Sequence, residues 1–111
     1  MTHIRYRGFQ GNIRANTRPV SLDPQAFDAL MKLPELAAWR TGGGVMFSDQ
    51  LGLRSVRRYD DPTERSFNAR KVAQDAFLAG NDVMLLGNFA LTNNWPDQLA
   101  NIKDTLNLFR D

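Results

Sequence analysis

The chain has the pattern of an α/β fold with a parallel sheet, built from about three βα units. Two short apolar runs, Gly44 to Ser48 and Asp82 to Gly87, are each bounded by glycine or asparagine. Both are near-continuous rather than alternating, the pattern of strands covered on both faces. Helical periodicity falls between and after them, and strands that alternate with helices argue for parallel pairing through crossovers. Such units occur in doubly wound sheets and in eight-fold barrels, and periodicity does not choose between the two.

Taken in order, Thr2 to Tyr6 alternate and supply the first strand. After a long loop, Ser21-Leu22-Asp23 precede Pro24, which suits a first helical turn because its missing amide hydrogen costs nothing there. Phe27, Leu30, Met31 and Leu33 keep helical spacing until Pro34 stops them. The glycines 42 to 44 let the chain turn tightly into the next strand. They do not form a phosphate loop, because they precede a strand and no Lys-Ser or Lys-Thr follows. A second helix is expected over about Glu64 to Leu78, with Phe67, Val72, Ala73, Ala76 and Phe77 inward and Gly80 as its stop. The third starts at Asn94-Trp95-Pro96-Asp97 and sets Leu99, Ile102, Leu106 and Phe109 on one stripe, with Lys103 and Arg110 toward its negative end.

At 111 residues there is room for one domain with a real core. The absence of cysteine excludes disulfides and thiolate metal sites. No apolar stretch is long enough to span a bilayer, and Met1 to Gln10 holds two arginines and no signal-like core, so no membrane partner is expected. A cytoplasmic location follows, any leader belonging to residues upstream. The net charge is only +2, yet arginine outnumbers lysine eleven to three. Arg5, Arg7, Arg14 and Arg18 form one cluster, and Arg54, Arg57, Arg58, Arg65 and Arg70 another. Asp60, Asp61, Glu64 and Asp75 interleave with the second, which favours ion-paired faces over a nucleic-acid surface. An arginine-rich RNA-binding module is the weaker alternative, and no nucleic-acid partner is expected.

Asp49 follows the second strand directly, and in parallel α/β folds active sites lie at the carboxyl ends of strands. A loop or capping aspartate is the competing interpretation. His3, the sole histidine, ends the first strand and can face the same rim, where a lone histidine is more often a hydrogen-bonding neighbour than a base. Nothing shares a ligand spacing with it, so no metal and no cofactor are expected. Asn88, Asn93 and Asn94 also fall at that rim, where their amides are available to a polar ligand, although loop and capping roles are the commoner explanation.

Three blocks together resemble the catalytic domain of glycoside hydrolase family 3. Met1-Thr2-His3-Ile4 looks like the family's Met-x-x-His strand end, and Pro19-Val20-Ser21-Leu22 like the helix start that follows it. Gly44-Val45-Met46-Phe47-Ser48-Asp49-Gln50-Leu51-Gly52-Leu53 looks like its Gly-Val-x-Phe-Ser-Asp-Asp-Leu-x-Met block. Ala76 to Leu86 looks like its Ala-x-x-Ala-Gly-x-Asp-x-x-Leu block. The resemblance implies a partial (β/α)8 TIM-type barrel, with residues 1–111 as the C-terminal half of the catalytic domain. It implies a retaining glycosidase acting on terminal β-linked sugars, closest to the β-N-acetylhexosaminidase branch. Asp49 is then the nucleophile and His3 lines the sugar site. Gln50 and Leu53 depart from the family's acidic residue and methionine. The family's Lys-His-Phe-Pro-Gly segment and its acid/base loop have no counterpart here. The expectation is therefore a fragment that is inactive alone, completed by the missing N-terminal half. The alternative is a non-catalytic domain that pairs with another half-barrel.

Overall fold

Three polar contacts close the amino ends of two short strands and fix how they lie side by side. Asp82 accepts both guanidinium nitrogens of Arg40, and its carboxylate also takes the Met46 amide at 2.9 Å. The computed structural model describes Met1, His3 and residues 18–110. The elements are a 3-10 turn at Val20–Leu22, α1 Pro24–Met31, α2 Pro34–Thr41, β1 Phe47–Gln50, α3 Arg54–Asp60, α4 Ala69–Ala79, β2 Val83–Leu85 and α5 Trp95–Arg110. Of the expected first strand, Thr2 to Tyr6, only His3 lies within the described residues.

Local chemistry accounts for most of these boundaries. Asp23 caps α1 by accepting the Gln25 amide at 2.9 Å, with Pro24 at the first helical position. Pro34 ends that run and also opens α2, because a proline that cannot continue a helix can begin one. Asn68 caps α4 through the Lys71 amide at 3.2 Å, so the helix starts five residues later than Glu64. At its other end Gly80 has φ 122°, a left-handed conformation that a Cβ would oppose. Asn94 caps α5 by accepting the Asp97 amide at 2.9 Å.

β1 and β2 pair in parallel. Met1 lies on the opposite edge of β1: its nitrogen donates to the Phe47 carbonyl and its own carbonyl accepts the Asp49 amide at 2.8 Å. That pair of bonds, straddling Ser48, is the pattern of a parallel neighbour. Helix α4 packs against β2, α1, α5 and the 3-10 turn. Its buried stripe is Ala69, Val72, Ala73, Ala76 and Ala79, small residues that bring it close to the sheet. The core gathers Leu22, Leu51, Val56 and Phe89 around that stripe, with Met84, Leu86 and Ile102 against it. Phe89 meets Phe67 edge to face at 5.3 Å.

Among the described residues, the helices and loops pack on one face of the sheet. Met84 and Leu86 face the helices, whereas Val45 (50%), Phe47 (52%), Val83 (36%) and Leu85 (41%) are exposed. Phe47 and Val83 are register partners, and Leu85 follows Val83 by two, so they share one bare apolar face. α5 is rotated relative to its apolar spacing: Thr105 is buried, Leu106 is exposed, and Phe109 is half-exposed against Phe77 at 5.3 Å.

Candidate functional site

The carboxyl ends of β1 and β2 form a rim around Asp49, and an irregularity in the ladder sets its geometry. Phe47 pairs with Val83 but Gln50 pairs with Leu85, so β1 spends three steps where β2 spends two. Ser48 supports this bulge. Its hydroxyl accepts the Leu85 amide at 3.0 Å and donates to the Asp49 carbonyl at 2.7 Å, taking a place the backbone ladder would otherwise fill. Past the bulge the ladder resumes, with the Leu51 amide on the Leu85 carbonyl at 2.8 Å and the Gly52 amide on that of Gly87 at 3.1 Å. Bulges occur beside active sites because they re-aim side chains and end the pairing.

Asp49 is exposed, and its Oδ1 accepts the Gln50 amide at 2.8 Å. Among the described residues no other hydrogen bond reaches this carboxylate. At Gly52 the strand ends approach so closely that a side chain is excluded by backbone, whereas at Gly87 the neighbour is the end of a flexible side chain. A Cβ on Gly52 would stand 2.0 Å from the Asn88 carbonyl oxygen, and one on Gly87 would stand 2.8 Å from the Gln50 side chain. Asn88 turns the chain with φ 53°, in the left-handed region that asparagine tolerates.

His3 is buried, and both ring nitrogens are taken. Nδ1 lies 2.5 Å from the Ser21 hydroxyl and Nε2 2.5 Å from the Gln50 carbonyl. Ser21 is a junction: its carbonyl accepts Asn81 Nδ2 at 2.8 Å, and that amide also donates to Ala76 at 2.8 Å. His3 and Asp49 therefore converge on Gln50, one through its carbonyl and the other through its amide. Asn94 serves as a helix cap, its side-chain amide bonding Asp97. The glycines 42 to 44 lie at the opposite end of β1, where the Gly44 carbonyl accepts from Arg40 at 3.1 Å.

That opposite end is built for cohesion. The Arg40 guanidinium and the Met46 amide hold the Asp82 carboxyl down to about 2, and Asp82 in turn raises Arg40. Arg40 also lies over the Phe27 ring, 5.7 Å from its centroid. In the second arginine cluster, Arg54 and Arg58 share Glu64, and Arg70 faces Asp104 at 3.4 Å. Glu64 is held below its ordinary value, chiefly by its bonds from Arg54. Among the described residues no three His, Cys, Asp or Glu side chains gather as metal ligands, and no helix is long and apolar enough to cross a membrane.

Ser48, Ser21 and Asn81 escaped the sequence reasoning. Each is a polar residue in or beside an apolar run, and a buried polar group needs a partner to be tolerated. That conflict was the available signal. No model of a known protein family matches the chain, and no curated protein or solved structure matches it either.

Proposed function

We propose that this chain supplies the second half of a glycoside hydrolase family 3 barrel, with Asp49 as the nucleophile of a retaining glycosidase. The substrate class is a terminal β-linked sugar of the N-acetylglucosaminide type, handled in the cytoplasm in carbohydrate metabolism or cell-wall recycling. One observation carries this reading: an exposed carboxylate stands in a bulge at the carboxyl end of a parallel pair of strands whose other face is, among the described residues, exposed and apolar. In a barrel that bare face is the interior, filled by layered side chains from all the strands, and the carboxyl rim holds the chemistry.

A retaining mechanism needs a carboxylate aimed at the anomeric carbon and a second group that protonates the leaving oxygen. In this reading Asp49 supplies the first, its carboxylate bonded by the Gln50 amide. His3 does not offer a ring nitrogen for the second, since Ser21 and Gln50 hold both. The proton donor then belongs to the complementing half, without which two strands cannot close a barrel. The test is hydrolysis of nitrophenyl N-acetylglucosaminide. The chain alone should give no turnover. The chain co-refolded with the N-terminal half of a family 3 β-N-acetylglucosaminidase should give turnover that Asp49→Ala abolishes.

The bare face equally favours a second reading, a non-catalytic domain that pairs with another half-barrel. It predicts a stable complex with no turnover, indifferent to Asp49→Ala. A compact soluble monomer on size-exclusion chromatography counts against it.

A further inference from the structure

We infer that His3 is a positioning residue for Asp49: through the Gln50 carbonyl it fixes the backbone whose amide aims the Asp49 carboxylate. This rests on Asp49 being the reacting carboxylate, and it replaces direct contact between His3 and sugar with action through a neighbour.

The hydrogen-bond chemistry leaves little choice of roles. A carbonyl oxygen only accepts, so Nε2 carries the proton and donates to Gln50. In the neutral ring Nδ1 then accepts from the Ser21 hydroxyl. Ser21 is fixed by Asn81, which is itself bonded to the last turn of α4. The chain of bonds therefore runs from the most buried helix, through a 3-10 turn and an imidazole, to the residue after Asp49. On the other side, the Asp49 amide is held by the Met1 carbonyl. Peptide groups before and after the 49–50 link are thus both anchored. The amide between them bonds the carboxylate at 2.8 Å.

The experiment is NMR on the full chain. The Gln50 amide proton reports ionisation of Asp49 through their hydrogen bond, so its chemical shift moves as pH crosses the carboxyl range. His3→Phe keeps the ring volume and loses both bonds. It should cut that excursion at least two-fold while the methyl signals of Leu22, Val56 and Val72 stay in place. His3→Gln, whose amide can still donate to the Gln50 carbonyl, should restore it. An unchanged excursion in a folded His3→Phe chain, or no recovery in His3→Gln, overturns the inference. If His3→Phe loses its core signals, His3→Gln alone decides: a wild-type excursion supports positioning, and a lost one overturns it. The readout does not depend on turnover. An intact excursion in a reconstituted enzyme that never hydrolyses sugar overturns the functional reading alone.

Discussion

Replacing Ser48 with alanine removes the hydroxyl that holds the bulge. Ser48 is 3% exposed, and its Oγ serves both the Leu85 amide at 3.0 Å and the Asp49 carbonyl at 2.7 Å. The alanine chain leaves a donor and an acceptor unpaired beside the core, and a group left unsatisfied there costs about 1–3 kcal/mol. Unfolding entropy of about 2.1 cal/mol/K per residue gives about 0.23 kcal/mol/K for 111 residues. The midpoint should therefore fall by about 4–13 °C in a thermal melt followed by circular dichroism. Hydrogen exchange at the Leu85 amide should accelerate about tenfold for each ~1.4 kcal/mol lost, a local signature that general destabilisation would spread evenly. Ser48→Thr keeps the hydroxyl and should stay close to the parent. A Ser48→Ala melt within about 1 °C of the parent, with Leu85 exchange unchanged, would refute the role given to this side chain.

Phe89→Ala empties a fully buried position packed edge to face on Phe67, and should cost about 3–5 kcal/mol in urea unfolding. Gly52→Ala drives a Cβ to 2.0 Å from the Asn88 carbonyl and should abolish soluble folded protein, whereas Gly43→Ala, with φ 98° and nothing within 4 Å, should cost only about 1 kcal/mol of backbone strain. Acid should weaken the fold through Asp82, whose carboxyl is lowered from 3.8 to about 2. Its stabilising contribution is complete above about pH 4 and is lost as pH falls through about 2, in the direction linkage requires for a depressed carboxyl. Asp61, held low by Thr63 and Ser66, and Glu64 act with the same sign. Asp82→Asn should flatten part of the melting-temperature slope in that window, by a small amount because the pair is half-exposed.

Periodicity and punctuation made α1, the core of α4 and the start of α5 legible, because Pro24, Gly80 and Asn94 act locally. The two strands were legible as apolar runs, but β2 is shorter than its run and β1 is displaced, overlapping Gly44 to Ser48 only at Phe47 and Ser48 and taking in Asp49 and Gln50, which the sequence placed after the strand. α2 was hidden because Pro34 served as both stop and start. α3 was hidden because four of its seven residues are charged and it buries Val56 alone. The inward face of α5 was misplaced because Leu106 looked like core while Thr105 is the buried residue, its hydroxyl satisfied by the Asn101 carbonyl at 2.9 Å. Asp49 could be placed at a strand end from sequence. The bulge beneath it and the links from His3 to Ser21 and Gln50 could not, since they join residues up to 47 positions apart.

The most direct test of Asp49 as nucleophile is covalent trapping. The reconstituted barrel is incubated with 5-fluoro-N-acetylglucosaminyl fluoride, whose fluoride departs without needing a proton donor, and peptides are mapped by mass spectrometry. An Asp49 nucleophile yields one glycosyl adduct, on the peptide containing Asp49, and none in Asp49→Asn. An adduct on another carboxylate, or an active reconstituted enzyme in which Asp49→Asn is trapped as fast as the parent, would contradict the assignment.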